Sequence, residues 1–187
     1  RRIPSSTPTI RLSDVVAVGE ATIVYDKEGN EIDQYVSTNS NRLSVGMDEI
    51  PDYLGKAFVA IEDERFYQHN GIDVKGILRA GYQFIKTGGE EAQGASTITQ
   101  QLLKNTVFTD WTSEGNNKIK KIKRKIQEQY LALEITKYYS KDEILLRYMN
   151  AINLGQNTLG VESASLRYFG KHCSDLTISE CAVIASI

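Results

Sequence analysis

Glu62-Asp63-Glu64-Arg65-Phe66-Tyr67-Gln68-His69-Asn70-Gly71 is the stretch on which the reading of this chain turns. Before it, Pro51 stands where a helix would start, and Leu54, Ala57, Phe58 and Ile61 recur at helical spacing. Glu62 therefore falls beside an apolar stripe, and Asn70-Gly71 marks a turn in which His69 serves as a hydrogen-bonded residue. After it, Gly94-Ala95-Ser96-Thr97-Ile98-Thr99-Gln100-Gln101-Leu102-Leu103-Lys104-Asn105 predicts a helix from Ser96 to Asn105. On that helix Ser96, Gln100 and Lys104 share a face, Thr97 and Gln101 lie next to them, and Ile98, Leu102 and Leu103 form the apolar side. A plain solvated face is usually rich in Glu and Lys, whereas this one is mostly hydroxyls and amides with a single ammonium. A carboxylate on one helix and that mixture on another suit chemistry on a sugar whose leaving group is anionic.

Working outward, Ala21–Tyr25 and Glu31–Val36 are β-prone runs around Asp26-Lys27-Glu28-Gly29-Asn30, a hairpin pattern. Residues 1–13 read as an extended arm, 73–86 as a helix, and 87–94 and 109–117 as loops. A long helix is predicted from Lys118 to Tyr139. Ile119, Ile122, Ile126, Tyr130 and Leu133 line one side of it. Its other side begins basic and ends apolar, and Glu128 marks the change, so the C-terminal half is expected to be buried. Glu128 there either pairs with Arg124 or Lys125 or has its carboxyl pKa raised by desolvation. Ser140 with Glu143, and Thr177 with Glu180, are capping-box patterns for two further helices.

The 187 residues suffice for one well-buried domain with a small appendage. With 22 basic and 24 acidic residues, net charge implies no general polyanion binding. The cations are nevertheless clustered: Lys118, Lys120, Lys121, Lys123, Arg124 and Lys125 fall within eight residues. Without interleaved aromatics the cluster suits a pyrophosphate or lipid headgroup better than nucleic acid. His69 and His172 lack partners at metal-ligand spacing, so no metal site is expected, and Cys173 and Cys181 make no disulfide framework. No run reaches the roughly 20 apolar residues needed to span a bilayer. The abrupt ends, Arg1-Arg2 and Ile187, suggest a piece of a longer protein truncated at both ends.

Several segments taken together resemble family 51 glycosyltransferases, the peptidoglycan polymerase domain of class A penicillin-binding proteins. Glu62-Asp63-x-x-Phe66-x-x-His69-x-Gly71 is similar to the family's first signature, and Gly94-x-Ser96-Thr97-x-x-Gln100-Gln101-x-x-Lys104-Asn105 to its second. Arg124-Lys125-x-x-Glu128 resembles the third, and Lys141-Asp142-Glu143-Ile144-Leu145-x-x-Tyr148-x-Asn150 the fourth. Gly160-Val161-Glu162-x-Ala164-Ser165 and Tyr168-Phe169-Gly170-Lys171 fit its closing pattern. The resemblance covers residues 45–187. Two positions depart from it: Leu146 stands where the fourth signature usually has Glu, and Lys120 where Arg often precedes the third-signature Glu by eight residues.

The resemblance implies a mainly α, lysozyme-like bilobal domain over 45–187, preceded by an arm and β-hairpin over 1–44. It implies polymerisation of lipid II with inversion at the anomeric carbon, Glu62 acting as general base and Glu128 on the leaving-group side. It further implies that Asp63, Ser96, Thr97, Gln100, Gln101, Lys104, Asn105, Lys120, Arg124 and Lys125 bind substrate. It names no definite cofactor and admits a divalent cation, Mg or Mn, at the pyrophosphate. The implied partners are lipid II and the lipid-linked glycan strand, the membrane surface on the extracytoplasmic face of a bacterial membrane, a C-terminal transpeptidase domain and other cell-wall synthesis proteins. Bilayer contact is expected from 73–93, through Ile77, Leu78, Tyr82, Phe84 and Ile85. A lysozyme-like glycan-cleaving enzyme and a non-catalytic lipid II-binding module are the alternatives.

Overall fold

A computed structural model describes residues 15, 22–35, 42–87, 94–109, 117–156 and 158–187. The expected arm at 1–13 and most of the loops at 87–94 and 109–117 lie outside those residues. The fold is mainly α and lysozyme-like, as expected. A hairpin of β1 (Thr22–Tyr25) and β2 (Glu31–Tyr35) precedes α1 (Asp52–Glu62), α2 (Val74–Lys86), α3 (Ile98–Thr106), α4 (Lys118–Ile135), α5 (Lys141–Ala151), α6 (Val161–Phe169) and α7 (Ile178–Ala185). The strands are antiparallel, with Thr22 opposite Tyr35. Asp26 closes the turn, its carboxylate accepting from the backbone N–H groups of Glu28 and Asn30 at 2.9 and 2.8 Å.

The chain divides into two compact units, Arg1–Val15 with Glu62–Ile144, and Val16–Ile61 with Leu145–Ile187. In the first, α3 packs on α4 through a core that includes Ile98, Leu102, Leu103, Leu131, Ala132 and Ile135. Gly71 lets the loop after α1 approach α4. Its φ is +91°, and a Cβ there would lie 2.4 Å from the Ala132 carbonyl oxygen, so no larger residue fits without displacing backbone. In the second unit, Phe58 and Tyr148 meet edge to face at 5.6 Å. Asn150 pairs with the Val45 backbone in both directions, at 3.0 and 2.9 Å. Buried Glu162 accepts from the Cys173 N–H at 2.8 Å and pairs with His172 at 2.6 Å.

Helix ends follow the capping chemistry. Thr177 and Glu180 cap α7 reciprocally, as Ser140 and Glu143 do before α5. α3 corrects the sequence expectation: it begins at Ile98, because Thr97 is its N-cap, accepting from the Gln100 N–H while Gln100 Oε1 accepts from the Thr97 N–H. Ser96 thus precedes the helix and does not share a helical face with Gln100 and Lys104. α4 ends at Ile135, four residues short of Tyr139. There the Thr136 hydroxyl donates to the Ala132 carbonyl, which closes the helix, and it also reaches the carbonyl of Asn70.

The expected burial of the C-terminal half of α4 is found on one side only. Gln127, Glu128, Leu131, Ala132 and Ile135 are buried, while Ile119, Ile122, Ile126 and Leu133 are exposed. The partner helix α3 takes the side that carries Glu128, so the isoleucine stripe is left outward. Burial of the C-terminal half is therefore one-sided.

Candidate active site

Glu62 ends α1, and the Gln101 side-chain N–H donates to its Oε2 at 2.7 Å. Asp63 follows in a buried position. Its carboxylate accepts from the Ile98 N–H at 3.1 Å and lies 2.9 Å from His69 Nε2. Two adjacent carboxylates are thus tied to one helix, Asp63 at its first residue and Glu62 one turn further on. Thr97 adds a third tie, its hydroxyl donating to the Gly71 carbonyl at 2.7 Å. Arg65 Nε donates to Asp73 Oδ2 at 3.1 Å, which closes the loop that leads into α2. This ion pair holds the Asp73 carboxyl below its ordinary value.

Lys104 sits on the same helix, three residues beyond Gln101, and faces α4. Burial lowers its pKa first, and the nearby charges of Lys125 and Arg124 lower it further, with Glu128 opposing them. Glu128 is fully buried at 0% exposure and forms ion pairs with Arg124 and, at 2.8 Å, with Lys125. Of the two states expected for Glu128, the paired one is found. Lys125 also donates to the Ser96 hydroxyl at 2.9 Å, tying α4 to the segment before α3. Three cations therefore surround one carboxylate, which leaves an excess of positive charge. Lysines at the N-terminal end of a helix oppose its macrodipole, so α4 gains nothing for its own stability from the cluster.

The structure sorts the residues expected to bind substrate. Gln101 holds Glu62; Lys104, Arg124 and Lys125 lie around Glu128, and Ser96 accepts from Lys125. Asp63, Thr97 and Gln100 are buried, with their side chains engaged in holding the start of α3. Asn105 is half-buried near the end of α3, and Lys120 is exposed about two turns before Glu128. Among the described residues, no group of three or more His, Cys, Asp and Glu side chains could hold a metal ion.

Sequence reasoning missed the contacts that α5 makes with the loop. Lys141 Nζ stands 4.3 Å over the Phe66 ring, and the Tyr67 hydroxyl donates to Asp142 at 3.0 Å. The partners are 75 residues apart, beyond the reach of any local pattern. Only the similarity of the Lys141 segment to a family signature marked it.

The family model for transglycosylases matches residues 28–187. The chain belongs to this family, the peptidoglycan glycosyltransferase class of enzymes. It is 44% identical over 185 residues to penicillin-binding protein 1A of Clostridium perfringens, covering 97% of this chain and 26% of that protein. Its identity to penicillin-binding protein 1A of Clostridium botulinum is also 44%, over 97% of this chain and 21% of the relative. With penicillin-binding protein 1F of Bacillus subtilis it is 41% over 164 residues, covering 88% of this chain and 21% of that protein. The chain thus spans about a quarter or less of the length of these relatives.

Proposed function

We propose that this domain polymerises lipid II into β-1,4 glycan strands, with inversion at the donor's anomeric carbon and release of polyprenyl pyrophosphate. The observation that carries this reading is that α3 holds both halves of such a site. Gln101 fixes Glu62, and Lys104, one turn along, joins the cations around Glu128, a rise of about 5 Å on the helix axis. Glu62 is the general base that takes the proton of the acceptor's 4-hydroxyl as that oxygen attacks the anomeric carbon. The bond to the pyrophosphate oxygen breaks as the new bond forms. Lys104, Arg124 and Lys125 stabilise the negative charge that develops there, with Lys120 further along α4.

Glu128 acts through the two cations it holds. Because they already engage its carboxylate, Glu128 does not fit as a ligand for a divalent cation at the pyrophosphate. Ser96 and Gln101 position sugar and phosphate oxygens, and Asp63, Thr97 and Gln100 act by holding α3 in place.

Among the described residues, no helix is long and apolar enough to cross a membrane. Bilayer contact on the extracytoplasmic face is assigned to α2, whose Leu78, Tyr82, Phe84 and Ile85 are exposed; they do not pack inward. The length of the relatives supports a further domain in the parent protein, proposed as a transpeptidase.

The test is incubation of the chain with labelled lipid II in detergent or liposomes, followed by gel separation beside Glu62→Gln. A ladder of glycan chains that the substitution abolishes supports the reading. Bound lipid II without a ladder overturns it in favour of a binding module, and fragments released from finished peptidoglycan would mark a hydrolase.

A further inference from the structure

Two consecutive residues of α5 grip two consecutive residues of the loop that follows Glu62. Tyr67 donates its hydroxyl to Asp142, and burial followed by that contact pushes its pKa up to about 12. Lys141 lies over Phe66, which is itself fully buried. The Lys141 ammonium is enclosed and has no hydrogen-bond partner among the described residues. Such a group is costly to bury unless something compensates its charge. Two things do: the π face of Phe66 and the negative field of Asp63, which opposes the effect of burial on the lysine.

Asp63 needs that countercharge. Gly71 donates its N–H to His69 Nδ1 at 3.2 Å, so the ring proton lies on Nε2 and is directed at Asp63. In this arrangement the imidazole supplies Asp63 with a hydrogen bond. The remaining compensation comes from the N-terminal end of α3, through the Ile98 N–H, and from Lys141. Glu62 is the residue immediately before Asp63, so a shift in the Asp63 carboxylate moves the backbone that aims Glu62 at Gln101.

We propose that Lys141 is a positioning residue for Glu62: stacked on Phe66 in the field of Asp63, it holds the Asp63–His69 clasp against the start of α3. Methionine, unbranched, uncharged and one heavy atom shorter, would fill most of the space and leave the clasp without its cation. This inference rests on the reading of Glu62 as the general base.

The test compares the whole chain with its Lys141→Met and Lys141→Arg variants. Lipid II polymerisation gives kcat and KM, and amide hydrogen exchange reports on Ile98. For Lys141→Met the expected result is a kcat lower by about tenfold, with KM within about twofold, and Ile98 exchange faster by about tenfold. Lys141→Arg restores most of the kcat, because it returns a cation to the ring. Unchanged kcat in Lys141→Met, or a KM that rises in step with the loss, overturns the proposal.

If Lys141→Met does not fold, Phe66→Leu decides. It removes the π face and keeps the ammonium, so a loss confined to kcat supports the proposal and no loss overturns it. If the unsubstituted chain does not polymerise lipid II, the functional reading fails by itself. Ile98 exchange in Lys141→Met then still judges the clasp, and an unchanged rate overturns it.

Discussion

Gln101 donates a hydrogen bond to Glu62 at 2.7 Å and so ties the last residue of α1 to the middle of α3. The bond selects one orientation of a carboxylate that would otherwise sample several rotamers. It engages Oε2, and the proposed mechanism gives Oε1 to the acceptor hydroxyl. Replacing Glu62 by Gln is expected to lower turnover by about 10²–10⁴ and to leave the unfolding midpoint nearly unchanged. Gln101→Leu keeps the base but frees it, with an expected loss of about tenfold in kcat. Steady-state polymerisation and a thermal melt check both, and near-normal turnover in Glu62→Gln would sink the assignment.

The cation cluster gives a second prediction. Burial, then Lys125 and Arg124, hold the Lys104 ammonium below the ordinary lysine value of 10.5. As pH rises, Lys104 therefore loses its proton before an exposed lysine does, and the site loses a charge. Affinity for inorganic pyrophosphate should fall on the alkaline side at a lower pH than exposed lysines titrate. Lys104→Ala should weaken binding by about tenfold at neutral pH and flatten that fall. Calorimetric titration at several pH values measures both, and equal affinity in the variant would remove Lys104 from the site.

Much of this architecture was legible because local chemistry dictates it. The Thr177–Glu180 and Ser140–Glu143 caps and the hairpin turn at Asp26 each involve residues at most four apart. α4 shows where legibility stopped. Both its sides carry apolar residues, so periodicity could not say which side meets α3. The answer depended on the fit of Glu128 and its cations, a tertiary fact. Ser96 illustrates a smaller failure: the pattern continued back through Thr97, yet the Thr97–Gln100 cap starts the helix after it. The Lys141–Phe66 stack had no local signature, since a lysine at the start of a helix is ordinarily read as solvated.

The exposed face of α2 supplies a third prediction. Leu78 and Ile85 are 69% and 81% exposed, and seven residues apart they lie on one side of the helix. Placing a charge there costs the fold little but removes apolar area that a bilayer would cover. Ile85→Asp should lower the fraction of chain bound to liposomes by about tenfold or more, on the scale of burying one large aliphatic side chain. Far-ultraviolet circular dichroism should be unchanged. Equal sedimentation with vesicles would mean that α2 does not face the membrane.

The fourth prediction concerns stability near the C-terminus. Glu180 pairs with Lys171 at 2.8 Å and accepts from the Thr177 N–H and hydroxyl, both at 2.7 Å. The Lys171 contact first, and then Thr177, draw its carboxyl from the ordinary 4.5 to about 2. The folded state thus favours the ionised form, and the unfolded chain binds the proton more readily. The contribution of this carboxylate is complete above about 4.5 and is lost as pH falls toward about 2. Glu162, drawn down by Cys173 and His172 against the effect of its burial, changes in the same direction. Glu180→Gln keeps an acceptor for the cap and deletes the charge. Urea unfolding should therefore find the variant less stable than the parent at pH 6, with the gap closing at about pH 2. A gap of constant size across that range would show that the cap, and not the ionised pair with Lys171, is what Glu180 contributes.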